Sequence, residues 1–417
     1  MKRVIVPSYL FIVILVVMVV FPLFPEIMKS SQSHIMRLIL CVTFFSLFSV
    51  RKLEKRAFIF IGIAAIQCLL MFLGFAKEIT TEYIAIHYII TITTPLIFFA
   101  LMVGMYSLVR EDMDNGIAII IDGFKCLVII SLAYSLFELL FITNIYQSSI
   151  VGMYKRLDNN SIQTTITTFF GTTYFAGYFY TSLFFVFFSI ACVSKKMQDY
   201  TYSIVLLFLV FMSQSKIMLL TVVVGGFLII LLANNRKLKI ILFVLSVLLL
   251  ALVYHIDSFV NLLFSLNINS AKSLAILIDR PGYSYTLLAR IEQINFAILA
   301  VANNALFGAG IGKGILLESW IAKILYQMGG LGVITFLSQV IVLTVFNYLN
   351  YKRASNEHNK GIALGLLVWS LCLPLSQLSS YTFYLSKMGI LSAVLIILTL
   401  ALYEYEVKMK RNSNQLC

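Results

Sequence analysis

Leu287–Gly332, LLARIEQINFAILAVANNALFGAGIGKGILLESWIAKILYQMGGLG, sits in the longest hydrophilic interruption of a chain that is otherwise largely apolar. It places an arginine, a glycine-dense turn and a lone glutamate just ahead of a hydrophobic run. Outside it, apolar stretches of bilayer-crossing length recur. Hydrophobic residues make up 61% of the 417, charged residues 12%, and mean hydropathy is +0.97. A soluble domain of this size needs far more polar surface, so these values predict an all-α polytopic membrane protein. Length and hydropathy mark about twelve spans. They lie near 4–23, 36–50, 57–76, 86–109, 117–143, 173–193, 200–215, 217–233, 240–256, 324–346, 361–380 and 387–403. No internal repeat relates the halves, and 1–417 reads as a single integral membrane domain.

Lysine and arginine predict the orientation. With Met1 inside, the inner segments hold Lys2, Arg3, Arg51, Lys52, Lys55, Arg56, Arg110, Lys195, Lys196, Arg236, Lys237, Lys239, Lys352, Arg353, Lys360, Lys408, Lys410 and Arg411, eighteen of the 31 basic residues. Five (Lys29, Arg37, Lys77, Lys216 and Lys387) fall in or beside short outer loops. This contrast is the positive-inside pattern and predicts cytoplasmic termini. The formal charge of +13 is then a topology signal. No nucleic-acid partner is expected, because no basic patch gathers on a soluble domain. The first span starts like a signal peptide, but no A-x-A-type site follows, so it is expected to stay as an anchor. Cys41, Cys68, Cys126, Cys192 and Cys372 lie in apolar spans and Cys417 ends the sequence, none with metal-ligand spacing.

Two long loops then face outward, 144–172 and 257–323. The first is rich in Tyr, Thr and Asn. In the second, Leu287, Leu288, Ile291, Ile294, Ile298 and Leu299 recur at helical spacing and are interrupted by Arg290, Glu292 and Gln293. That pattern predicts a short helix along the membrane surface. Asn303 and Asn304 end it, and a flexible run with Gly308, Gly310, Gly312 and Gly314 follows.

Several side chains are candidates for chemistry. Arg290 offers a guanidinium that makes paired, charge-assisted bonds to phosphate oxygens at any physiological pH; the plainer reading is an interfacial arginine that snorkels. The glycine run fails as a Walker loop, since Lys313 is followed by Gly314, and as a dinucleotide fingerprint, since Lys313 stands at the third glycine. Its amides suit an anion nest, or the run is a tight re-entry turn. Lys216 sits between two short spans; a lysine facing hydrocarbon costs roughly 2.5–3.5 kcal/mol, so it faces water or an anion, or it caps a helix hairpin. Glu318 is the only carboxylate between Glu292 and Glu357. It suits a general base in a poorly solvated cleft, or a residue favoured by the dipole of the next helix.

Four weaker signals complete the survey. Asp112 and Asp114 form a DxD match that reads better as a solvated turn. Asp122 and Lys125, three apart, are expected to pair. Glu138 reads as an unpaired intramembrane acid. Tyr146, Tyr154, Tyr174, Tyr178 and Tyr180 suit stacking on sugars or an interfacial aromatic belt.

The order Arg290 with Ala297 and Ile298, then Asn304, Leu306, Phe307, Gly308, Gly310 and Gly312, then Glu318, Ser319, Leu325, Gly329 and Gly332 resembles bacterial O-antigen polymerases of the Wzy type and the related O-antigen ligases. Ligases carry a histidine where Glu318 stands, so the chain looks more like a polymerase. The family's intramembrane Ser-Arg pair is represented by Ser215 and Lys216, which keeps the charge and loses the bidentate fork. The resemblance implies a multi-pass protein of the bacterial inner membrane, with a large periplasmic loop carrying short interfacial helices. It implies a glycosyltransferase that moves a growing glycan from one undecaprenyl diphosphate to a newly flipped lipid-linked repeat unit. Glu318 and Arg290 would be catalytic, and Arg290, Lys216, Gly308, Gly310 and Gly312 would hold the diphosphate. No cofactor is implied, and no outward Asp, Glu and His cluster suggests a metal. Expected partners are the lipid-linked donor and acceptor, membrane lipids, a chain-length regulator and a flippase. The alternatives are an O-antigen ligase and a flippase for lipid-linked oligosaccharides, although flippases commonly carry internal repeats and midplane charges.

Overall fold

The computed structural model describes residues 57–78, 113–140, 166–170, 172–233, 285–310, 317–384 and 386–416, with scattered residues among 12–20, 92–110 and 261–275. Among the described residues every regular element is helical. They are α1 (Ala57–Glu78), α2 (Met113–Leu140), a 3-10 turn (Thr168–Phe170), α3 (Thr173–Ser194), α4 (Met197–Ser213), α5 (Lys216–Leu232), α6 (Tyr285–Ala300), α7 (Trp320–Arg353), α8 (Glu357–Ser376) and α9 (Ser386–Leu416). Five segments are long and apolar enough to cross a membrane: Asn115–Leu139, Thr173–Ser194, Trp320–Arg353, Glu357–Ser376 and Lys387–Arg411. Shorter apolar stretches fill α1, α4 and α5. These helices fall where the apolar runs predict spans. The expected spans 36–50 and 240–256 lie outside the described residues, as do 4–23 and 86–109 apart from isolated positions. So do 144–165 and nearly all of 257–284 within the two expected outer loops.

The bundle is built around α3, which packs on α8, α4 and α5. α3 is apolar on every face, and 89% of its most hydrophobic window is buried, as expected of a helix enclosed by others. Small residues let α8 come close. A Cβ on Gly361 would sit 2.6 Å from the Ile190 Cα, and one on Gly365 would sit 2.5 Å from the Ser189 Oγ. Through that gap the Ser189 hydroxyl donates to the Gly361 carbonyl at 2.7 Å. Where lipid offers no hydrophobic drive between helices, such close approach and interhelical hydrogen bonds hold a bundle together. On the outside, α7 exposes Ile334, Leu337, Ile341 and Val345, an apolar flank suited to hydrocarbon.

The contacts sort the helix ends into two groups. At one end, Lys195 and Lys196 link α3 to α4, while α7 finishes in Lys352 and Arg353. The α9 residue Glu406 accepts from the Ser355 amide at 2.8 Å and from the Asn359 side chain at 3.0 Å. Arg353 donates to the Tyr403 hydroxyl at 2.9 Å, Arg110 pairs with Glu404 at 3.3 Å, and Tyr351 donates to the Leu232 carbonyl at 2.6 Å. The expected Asp122–Lys125 pair forms at 2.8 Å. The opposite end gathers the starts of α3, α5, α7 and α9 with α6 and the 301–310 segment.

Two expectations are corrected here. Glu138 is not unpaired: it is fully buried, and its carboxylate accepts the amides of Thr167 and Thr168 at 3.1 and 2.9 Å. Its donors come from a segment 29 and 30 residues away, which no local pattern reveals. Tyr178 and Tyr180 are core residues, 1% and 0% exposed, and cannot meet a sugar; α3 is enclosed by helices on every side. Tyr146 and Tyr154 lie outside the described residues.

Candidate functional site

Glycine chemistry breaks α7 and shapes the site. Gly329 has φ 65° and ψ −160°, which interrupts the helix after its first turns. A break inside an apolar helix frees backbone groups that must find partners within the protein. The neighbouring segment supplies them. The Ala309 amide donates to the Tyr326 carbonyl at 2.7 Å, Gly330 donates to Ala305 at 2.7 Å, and Leu331 donates to Leu306 at 3.2 Å.

The approach tolerates no side chain. A Cβ on Gly329 would lie 2.5 Å from the Gly308 nitrogen, and one on Gly308 would lie 2.6 Å from the Tyr326 carbonyl oxygen. Gly308 itself has φ 78°. From α1, Gly74 closes the third side, where a Cβ would come within 3.0 Å of the Gly310 Cα and the Gln327 carbonyl. The run expected to be flexible is therefore, at Gly308 and Gly310, a tight junction of three backbones. The Gly308 amide is engaged by the Asn304 carbonyl at 2.9 Å, and the next amide by Tyr326. Gly312, Lys313 and Gly314 lie outside the described residues, as does Asp112 of the DxD match.

This junction fixes α6 against the start of α7. Arg290, Gln293, Ile294 and Ala297 form the stripe of α6 that faces inward, continued by Val301 just beyond it, whereas Leu288, Ile291, Ile298 and Leu299 are exposed. The outer side carries these residues and Phe296 together with Glu292 and Asn295, a mixed apolar and polar surface that suits a helix at a membrane interface. The Phe296 and Tyr326 rings stack at 5.8 Å between the two helices.

The inward stripe brings together the two residues expected to be catalytic. The Arg290 guanidinium forms an ion pair with the Glu318 carboxylate, each side chain 24% exposed. The Gln293 side chain accepts the Glu318 amide at 3.0 Å, so α6 holds both the backbone and the charge of Glu318. Glu318 precedes the N-cap, Ser319, and so stands outside the first turn of α7. From the other side, the Tyr381 amide donates to the Glu318 carbonyl at 2.7 Å, and the Trp320 amide donates to the Gln377 carbonyl at 3.3 Å. Tyr174, in the first turn of α3, feels the charges of both Glu318 and Arg290.

Lys216 lies at the same end of the bundle. It opens α5, whose cap Ser215 packs on Gly177, one turn along α3 from Tyr174; a Cβ on Gly177 would lie 3.0 Å from the Ser215 Cβ. Lys216 and the ion pair thus both lie near the first turns of α3.

Lys323 is a residue the sequence reading passed over. It lies one turn into α7, half-buried, with its Nζ 5.7 Å from the centre of the Tyr381 ring. A cation in the first turn opposes the helix dipole, and that conflict is the signal that could have marked it. Lys387, in the first turn of α9, is used structurally: it donates to the Phe169 carbonyl at 2.7 Å.

Comparison with known protein families and known protein sequences gives no match to this chain.

Proposed function

We propose that the protein is a membrane glycosyltransferase of the O-antigen polymerase type, acting at the end of the bundle where Arg290 meets Glu318. The observation that carries this reading is that pair: a phosphate-binding cation and a carboxylate, far apart in sequence, meet beside a backbone junction built from the motif glycines. The basic residues gathered at the opposite end support a cytoplasmic location for that end and a periplasmic one for the site. Both termini are then cytoplasmic, in a bacterial inner membrane. The exposed apolar residues of α6 suit the outer leaflet, where a lipid-linked substrate is anchored.

The chemistry follows from the charges. A hydroxyl of the acceptor repeat unit attacks the anomeric carbon of the donor glycan, and the bond from that carbon to the diphosphate oxygen breaks. The lipid diphosphate leaves with the electron pair, and the hydroxyl proton passes to Glu318. Charge grows on the departing oxygen, so a cation already in place lowers the barrier. In the resting pair, Arg290 and Glu318 neutralise each other. An arriving diphosphate competes for the guanidinium and releases the carboxylate to act as base. Lys216 adds positive charge across α3.

The test is a lipopolysaccharide gel from a deletion strain. Core carrying one repeat unit is the expected result; bare core would instead indicate a flippase or a ligase.

A further inference from the structure

A diphosphate carries more negative charge than the single Arg290 guanidinium balances, even once it displaces Glu318 from their resting pair. Two hydroxyls beside Glu318 are also unused. Ser319 is the N-cap of α7 and 1% exposed, yet its side chain makes no capping bond, and its Oγ has no partner among the described residues. The hydroxyl of Tyr381, 6% exposed, likewise has none. A buried hydroxyl left without a partner costs about 1–3 kcal/mol, and these two stand beside a half-buried cation. Ser319 and Lys323 share one face of the helix, four residues apart, and the Lys323 Nζ lies over the Tyr381 ring. Lys323 has no carboxylate partner among the described residues. The group is tied to Glu318 directly: Ser319 is its chain neighbour, and Tyr381 bonds its carbonyl.

We infer that Lys323, with the hydroxyls of Ser319 and Tyr381, forms the second phosphate subsite for a polyprenyl diphosphate, next to the one that Arg290 serves. This rests on the glycosyltransferase reading for its ligand class, but its geometry stands without it. The subsite accounts for a lysine in the first turn of an apolar helix: the cation is tolerated because an anion joins the α7 N-terminus and satisfies both. Discrimination follows as well. A lipid monophosphate fills one subsite and a lipid diphosphate fills two, so the site prefers a diphosphate-bearing lipid.

The test uses the full-length protein in nanodiscs, titrated with undecaprenyl diphosphate, undecaprenyl monophosphate and inorganic pyrophosphate. Wild type should favour the lipid diphosphate over the monophosphate by roughly tenfold or more, the scale of a charged hydrogen bond. Lys323→Met should abolish most of that preference while leaving monophosphate affinity nearly unchanged, and Lys323→Arg should restore it. Ser319→Ala, which removes only a hydroxyl, should reduce the preference about threefold or more. It carries the test if Lys323→Met fails to fold. A preference unchanged in every variant that folds overturns the subsite, and pyrophosphate binding as tightly as the lipid overturns its lipid assignment. Polymer synthesis is read separately. A Lys323-dependent preference in a protein that transfers no glycan keeps the subsite and removes the polymerase reading; an unchanged preference with normal polymer does the reverse.

Discussion

The two ends of the bundle use their charges in opposite ways. At the basic end most charges are paired within the fold: Glu406 fills its oxygens with the Ser355 amide, the Ser355 hydroxyl and Asn359, Glu404 takes Arg110 on one oxygen and leaves the other unbonded, and Arg353 both donates to and covers Tyr403. At the other end Lys216 and Lys323 have no carboxylate partner among the described residues, and the Ser319 and Tyr381 hydroxyls are unbonded. Buried polar groups in a finished fold are normally satisfied. What sets the Arg290–Glu318 end apart is that its unbonded hydroxyls stand beside a cation with no carboxylate partner among the described residues, an arrangement open to an anion that arrives.

If that contrast is functional, the largest loss should come from Arg290. Arg290→Ala should lower the polymerisation rate on the order of 10²–10³-fold, as removal of a transition-state donor does. Arg290→Lys should recover only part, because the planar fork is gone. Normal polymer from Arg290→Ala at wild-type expression would reduce the residue to packing.

Glu318→Gln comes next. It keeps size and hydrogen bonding but cannot take a proton, so a base predicts a loss of roughly 10²-fold or greater. Rate in vesicles is the measurement. A near-normal rate would remove the base assignment and leave the pair as a positioning device.

Gly329→Ala should act through the fold. The substituted residue would keep φ 65° and press its Cβ onto the backbone of Leu306 and Gly308, so little folded protein is expected. Gly226→Ala, where a Cβ meets nothing within 4 Å, is the matched control and should express normally. Equal yields would mean the three-backbone junction does not hold the site.

The smallest effect on activity is expected at the basic end. Glu406→Gln should lower thermal stability, at a cost of about 1–3 kcal/mol for bonds to a charged acceptor, while the rate per folded molecule stays unchanged. A rate loss like that of Glu318→Gln would erase the contrast between the ends.

Much of the helix layout was legible because runs such as 173–193 and 361–380 are apolar over a bilayer's thickness, and hydropathy reads that directly. Arg290 and Glu318 were legible as residues, but their meeting was not: it depends on the turn at 301–310 pairing with a helix broken at Gly329. The Gly329-Gly330 step reads locally as two small residues in a span, and only the positive φ and the neighbouring strand of amides turn it into a break. Glu138 misled for a similar reason, since its amide donors come from beyond its own helix. Lys323 was hidden by its place at the seam between expected loop and expected span, where a lysine draws no notice unless the direction of the helix dipole is considered.

The central claim is that the Arg290–Glu318 end transfers glycan from a lipid diphosphate. Its most direct test is purified protein in lipid vesicles supplied only with undecaprenyl-diphosphate-linked repeat units. Wild type should build a ladder of polymers, and the Arg290→Ala, Glu318→Gln double variant should leave the single unit unextended. No ladder from wild type, or a ladder of the same length and rate from the double variant, would contradict the account.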